Sequence, residues 1–162
     1  MLQKISLTGS SVKNVDFGFN FDTVVNANDS GQGSLRQFLL NANLLGGDAT
    51  LAQSGRTAGV ENAILLLSTS DPNYNSTGNY WNIALKSQLP VITSKLTLDG
   101  STQSGFVGTP VLRLNGSAAG SVNGLTLTTG SDHSLVKALA IQQFGGTGIL
   151  LNDSAGNTIG GK

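Results

Sequence analysis

Residues 123–128 (NGLTLT) and residues 147–152 (TGILLN) decide the predicted fold, because they align position by position, with Leu125 on Ile149 and Leu127 on Leu151. A second pair, residues 134–136 (SLV) and 157–159 (NTI), aligns at nearly the same spacing. Self-similarity at a fixed period of roughly 20–50 residues is the sequence signature of repeat architectures. A period in the low twenties with two or three short strands predicts one coil of a parallel β-helix, which is a β-solenoid.

Each of these repeats alternates apolar and polar residues, as a strand with one buried face does. In stacked coils the apolar positions would face inward and form continuous aliphatic ladders. The residues predicted to face inward are Leu125, Leu127, Val136, Leu139, Ile141, Ile149, Leu151 and Ile159.

Earlier parts of the chain also predict strands, separated by polar loops of which residues 68–79 form the longest. The alternating or apolar stretches are residues 15–21, 63–67, 80–85 and 95–100. The fold class is therefore predicted to be all-β.

One α-helix is predicted at residues 35–45. Ser34 and Gln37 have the spacing at which each side chain can bond the other's backbone N–H at a helix start. Apolar residues then recur at steps of three and four, and the pair Gly46 and Gly47 supplies a stop signal. Such a short amphipathic helix needs a surface to cover, and the end of the solenoid core provides one.

The composition excludes several classes of function. The 162 residues fit one core, only 11% of them are charged, and the formal net charge is zero, so we expect no nucleic-acid partner. With no cysteine and a single histidine, no metal site and no cofactor are predicted. No apolar run approaches the roughly 20 residues of a transmembrane helix, so we expect no membrane insertion.

Residues 24–38 (VVNANDSGQGSLRQF) resemble the entry motif of right-handed parallel β-helix regions in large bacterial secreted and surface proteins of the adhesin type. Residues 96–105 and 144–149 are similar to the first coils of such regions. The resemblance implies a right-handed parallel β-helix with a short N-terminal capping α-helix over residues 22–162. It also implies an extracellular or cell-surface location.

Residues 14–19 (NVDFGF) look like the closing strand of the small β-sandwich repeats that often precede these regions. We therefore treat residues 1–21 as an N-terminal strand segment. It is interpreted as the remnant of a preceding module, as a strand that assembles with another copy, or as a strand that pairs within its own chain. Residues 157–162 stop in mid-repeat, which is consistent with a piece of a longer polypeptide.

Parallel β-helices include polysaccharide lyases and hydrolases, so acidic and basic residues near strand ends are considered as catalytic groups. The candidates Asp99, Arg113, Asp132, Lys137 and Asp153 are isolated, and no nucleophile motif accompanies His133. We therefore predict no catalytic residues.

Residues 71–75 alternate oxygen ligands as a calcium loop does. Ser76 replaces the glycine that such a loop requires, so no helix–loop–helix calcium site is predicted.

The loop around residues 71–81 places Tyr74, Tyr80 and Trp81 among amide and hydroxyl side chains. Aromatic faces beside amides suit sugar rings, so these three residues are candidates for glycan binding. The alternative is that the rings cover the core, and for Trp81 the alternating pattern favours that alternative.

We expect a non-enzymatic, extracellular structural and adhesive module. Its partners would be copies of itself, stacked head to tail into a filament, or further β-helix coils. A glycan-binding module is the first alternative, with cell-surface or matrix glycans as partners. A lyase or hydrolase fragment is the second.

Overall fold

The computed structural model describes residues 21–48, 50 and 57–161, and within them the chain is mainly β, with parallel sheets and one α-helix. Helix α1 spans Leu35–Leu45, and a 3-10 turn spans Gly100–Thr102. The strands are β1 (Thr23–Val24), β2 (Glu61–Asn62), β3 (Ile64–Leu65), β4 (Tyr74–Asn75), β5 (Tyr80–Ala84), β6 (Leu96–Asp99), β7 (Leu112–Asn115), β8 (Leu125–Leu127), β9 (Leu135–Lys137), β10 (Leu139–Gln142), β11 (Ile149–Leu151) and β12 (Thr158–Ile159).

The strand pairs confirm both alignments predicted from the sequence. Strand β11 pairs with β8 in parallel, and Leu125 lies opposite Ile149, as in the first alignment. Strand β12 pairs with β9 in parallel, and Val136 lies opposite Ile159, as in the second alignment. The consecutive strands β8 and β9 therefore lie in different sheets, and each pairs with a strand from the following repeat.

The two larger sheets have the strand orders β10-β7-β5-β4 and β12-β9-β6-β2. In the first sheet Trp81 lies opposite Leu112, which lies opposite Leu139. Strand β7 was not predicted from the sequence. The short hairpin of β4 and β5 is antiparallel, whereas the other strand pairs of the described residues are parallel.

The core is formed by the inward residues of these strands. Leu125, Leu127 and Val136 are buried as predicted, and Leu139, Ile141 and Ile149 pack partly buried against them. The prediction of burial was wrong for Leu151 and Ile159, which are 45% and 39% exposed. These two residues lie in β11 and β12, each of which pairs with a described strand on one side only, so no further layer covers their side chains.

Helix α1 begins and ends where the sequence predicted. The Ser34 hydroxyl accepts a hydrogen bond from the Gln37 backbone N–H, at 3.2 Å. The reciprocal half of the predicted cap does not form, because the Ser34 backbone N–H donates to the Gly31 carbonyl at 3.2 Å instead. The Gln37 side-chain N–H donates to Asn41. The buried face of the helix consists of Leu35, Phe38, Leu39 and Ala42.

One arginine fastens this helix to the chain that follows β5. The Arg36 guanidinium donates to the Asp29 carboxylate at 2.8 Å and to the backbone carbonyls of Ser87 and Gln88 at 3.0 and 2.6 Å. Desolvation alone would raise the pKa of Asp29, but hydrogen bonds from Arg36 and Lys86 outweigh it and lower that pKa. The helix is therefore held by a charge-assisted clip as well as by its apolar face.

At two strand ends, a buried side chain is the hydrogen-bond partner of backbone groups. The Gln103 side chain is hydrogen-bonded to both backbone groups of Leu67. The buried Ser134 hydroxyl accepts the backbone N–H of Leu96 and donates to the carbonyl of Ser131. Buried backbone groups need such partners because leaving them unpaired costs free energy.

The predicted N-terminal segment lies outside the described residues except for Phe21, which is exposed. In the described part of the chain, no helix is long and apolar enough to cross a membrane.

Candidate functional site

Of the three aromatic candidates, Trp81 lies in the core. Its side chain is 1% exposed, and its indole N–H donates to the backbone carbonyl of Ser68 at 2.8 Å. Its ring packs against Tyr74 with the centroids 4.7 Å apart. Trp81 therefore covers the core, which is the alternative that the sequence favoured, and its buried ring does not reach a ligand at the surface.

The Tyr80 ring is half-buried and already has neighbours. The Arg113 guanidinium carbon lies 3.4 Å from the ring centroid, which is a cation–π contact. Gly78 packs so closely against ring atoms Cδ1 and Cε1 that a Cβ atom added there would clash at 2.4 Å. The hydroxyl accepts a hydrogen bond from Asn75. Little of this ring is therefore open for stacking on a sugar.

Beside Tyr80 lies a shallow depression of about 380 Å³ that we call the amide groove. Four asparagines and one glutamine supply most of its polar groups, and no charged residue lines it. The lining residues are Pro72, Asn73, Tyr74, Asn75, Tyr80, Asn82, Asn115 and Gln142.

The register of β5, β7 and β10 explains how residues distant in sequence meet here. Asn82 lies opposite Arg113, and Asn115 lies opposite Gln142. Since alternate residues of a strand point to opposite faces, burial of the inward positions turns these four side chains outward together. Neighbouring strands are about 4.8 Å apart, so the three strands span about 10 Å of polar surface.

The near side of the groove is formed by the short hairpin of β4 and β5. Asp71 shapes its start, because its two carboxylate oxygens accept the backbone N–H groups of Ala27 and Asn73. This carboxylate, the first residue of the calcium-like stretch, thus has a structural role. The hairpin was missed in the sequence, although two tyrosines flanking an Asn-Ser-Thr-Gly-Asn turn are a recognisable signal.

Several polar groups at the groove have no partner among the described residues. The side-chain amides of Asn82 and Gln142 make no hydrogen bond, and Arg113 forms no ion pair. Asn115 accepts a bond from the Ser117 N–H and keeps its amide donors free. The groove therefore offers several neutral donors, and the charged guanidinium of Arg113 lies beside it, over the ring of Tyr80.

Three of the other acidic and basic candidates, Asp99, Lys137 and Asp132, have partners elsewhere in the structure. Asp99 forms an ion pair with Lys137 at 3.1 Å across β6 and β9. Burial would raise the pKa of Asp99, but hydrogen bonds from Ser101 and Lys137 lower it. Asp132 accepts the Ala155 N–H, and this bond is the main cause that lowers its pKa.

His133 and Asp153 lie in exposed turns with positive φ, at 58° and 52°. The His133 backbone N–H is hydrogen-bonded to the carbonyl of Ala155, 2.9 Å away. In the described ranges, no group of three or more histidine, cysteine or acidic side chains is placed to hold a metal ion.

Sequence analysis also missed an acidic pair near β1. Glu61 is hydrogen-bonded to the buried Asp22, and burial together with this neighbour raises the pKa of Glu61 to about 7.

A second depression, of about 530 Å³ and mainly apolar, lies between β1 and helix α1. Its lining residues include Phe21, Val25 and Phe38.

Comparison with known proteins assigns the chain to no family. No family model matches it, and no solved structure matches it. Its function is therefore inferred from its own residues and geometry.

Proposed function

We propose that residues 22–162 form a right-handed parallel β-helix that acts as a non-enzymatic structural and adhesive module at a bacterial cell surface or in a secreted fibre. The observation that carries this proposal is the parallel register of three strand pairs, each of which joins residues about one repeat apart. Strand β7 pairs with β10 from Leu112 to Leu139. Strand β8 pairs with β11 at residues 125 and 149, and β9 pairs with β12 at residues 135 and 158.

When a chain winds in stacked coils, each strand of one coil is expected to pair with the strand about one repeat further along the chain. Polar side chains support the same stacking outside the strands. The hydroxyls of Ser131 and Ser154, one repeat apart, lie within 2.9 Å of each other. The Asn123 side chain accepts the backbone N–H of Thr147, which lies one repeat further on. The hydrogen bonds of the turns therefore join residues at about the same spacing as the strand pairs do.

The unpaired outer edges of the last strands favour a structural role. The outer edges of β10, β11 and β12 pair with no described strand. Apolar side chains at those edges, Leu151 and Ile159, are substantially exposed. An open edge with exposed apolar side chains readily accepts another strand, so the expected partner is a second copy or a further coil.

Sedimentation of the whole chain over a concentration series, with electron micrographs of the same samples, tests this role. We expect defined oligomers or filaments. Ile159→Lys places a charge on the open edge and is expected to reduce assembly strongly. Val107→Lys is the matched control, because Val107 is 87% exposed in a loop away from the strands.

A wild-type chain that stays monomeric at every concentration would contradict assembly from copies of this chain. Assembly that survives Ile159→Lys unchanged would place the contact on another surface.

The amide groove favours glycan binding as a second candidate function. Side-chain amides carry both donors and acceptors, which is what a polyhydroxylated ligand requires. The groove crosses three strands of one sheet, so a chain-like ligand could contact several of them at once.

A further inference from the structure

We propose that the amide groove binds an acidic polysaccharide. The Arg113 guanidinium, which lies over Tyr80 at the border of the groove, would hold the anionic group, and the amides of the groove would hold the hydroxyls. This inference rests on the second candidate function, glycan binding, and names the class of ligand for that site.

The position of Arg113 is the first argument. Its guanidinium is held over the Tyr80 ring, and no described carboxylate pairs with it. A guanidinium that packs through its flat face keeps its N–H donors at the edges, where they can bind an anion. Its in-register neighbour on β10 is Ala140, which adds only a methyl group on that side. The cation is thus fixed in place with its donors uncommitted.

The amides beside this cation are the second argument. Asn82 lies opposite Arg113, while Asn115 and Gln142 form the next outward row. The amide side chains of Asn82 and Gln142 are free of other bonds. A sugar with an acidic substituent could therefore place its anion on Arg113 and its hydroxyls on amides one strand away, about 4.8 Å along.

The state of the aromatic rings favours an acidic over a neutral ligand. Trp81 is buried, and Tyr74 and Tyr80 are occupied by Trp81 and Arg113. Stacking is therefore a minor source of affinity here. Desolvating Arg113 under a neutral sugar would cost free energy, whereas a carboxylate or sulfate would form charge-assisted hydrogen bonds with it.

Isothermal titration of the whole chain tests the proposal with paired probes. Polygalacturonate is compared with its methyl ester, which has the same backbone without the charges, and dextran sulfate is compared with dextran. We expect binding to one or both anionic polymers and at least tenfold weaker binding to their neutral counterparts. The two pairs distinguish a carboxylate from a sulfate ligand.

Arg113→Gln is expected to weaken anionic binding about tenfold, since it removes the charge. Lys95→Gln is the matched control, because it removes the same charge from an exposed position just before β6, in the other large sheet, and it should change affinity less than twofold. If Arg113→Gln does not fold, Asn82→Asp provides a second test. It places a carboxylate opposite Arg113 and should also weaken binding.

Equal binding of neutral and anionic polymers would overturn the acidic preference and leave glycan binding standing. Equal losses in Arg113→Gln and Lys95→Gln would overturn the role of the groove, because the attraction would then be diffuse. No binding to any of the four polymers would overturn both the inference and the second candidate function.

Discussion

Gln103 offers the sharpest test of how this chain completes its backbone pairing. Its side chain is 2% exposed. Its Oε1 accepts the Leu67 N–H at 3.0 Å, and its Nε2 donates to the Leu67 carbonyl at 2.9 Å. The amide therefore acts as a short piece of neighbouring strand. Replacing it by leucine, at similar volume, would leave two buried backbone groups of Leu67 without partners.

An unsatisfied buried polar group costs about 1–3 kcal/mol, so Gln103→Leu should lower the free energy of unfolding by about 3 kcal/mol. Urea unfolding followed by the fluorescence of Trp81, the single tryptophan, measures this change. Gln88→Leu is the matched control, because the Gln88 side chain is exposed. Its effect should stay within about 0.5 kcal/mol.

Gln103→Glu separates hydrogen bonding from packing. An ionised glutamate would face the Leu67 carbonyl without a donor, whereas a protonated one regains an O–H donor. Burial raises the pKa of such a carboxyl, so the stability of this variant should be highest in acid and should fall as the pH rises. A loss below about 0.5 kcal/mol in Gln103→Leu, with no pH dependence in Gln103→Glu, would refute the reasoning.

Two further predictions concern charged residues. The folded-state pKa of Glu61, about 7, lies above its ordinary value of 4.5, so its stabilising contribution is complete below pH 4.5 and is lost as the pH rises through 7. Glu61→Gln should therefore raise stability at pH 8 by about 1 kcal/mol, given partial solvent screening, and leave it nearly unchanged at pH 4; thermal melts that shift equally at both pH values would contradict this. Arg36→Lys should cost about 2 kcal/mol in urea unfolding, because an ammonium cannot make all the bonds of the guanidinium fork; a loss under about 0.5 kcal/mol would show that the clip does not hold the helix.

The elements that the sequence predicted well are those whose signals are local or repeated. Helix α1 has a capping serine, an apolar stripe and a glycine stop within one short stretch, and its predicted bounds match Leu35–Leu45. The pairing of β8 with β11 was predicted because the two segments resemble each other. Local chemistry and self-similarity can both be read without tertiary contacts.

The elements that the sequence missed depend on partners far along the chain. Strand β2 lies in a stretch that reads as a polar loop, and its pairing is with β6, from Glu61 to Leu96. Strand β7 carries a clear alternation but resembles no other repeat closely enough to be noticed. Such strands form because a neighbouring strand pairs with them in parallel register, which local sequence does not show.

The candidate site could be predicted only in part. Tyr74 and Tyr80 border the amide groove, and their binding of a glycan stays a prediction. The burial of Trp81 followed the alternation that favoured a core role. Arg113 was weighed only as a catalytic base, because its contact with Tyr80 arises from the pairing of β5 with β7 and has no signal in the local sequence.

Coil duplication tests the central claim, stacking in successive coils, most directly. Three extra copies of residues 134–156, the span of one repeat, would be inserted in tandem after residue 156, and small-angle X-ray scattering would measure the maximum dimension. A control insert carries the same residues in scrambled order. We predict that the particle lengthens by about 14 Å with the β signal per residue unchanged, because each coil adds one strand spacing of about 4.8 Å. An unchanged length, or an insert that behaves like the scrambled control, would contradict stacking in successive coils.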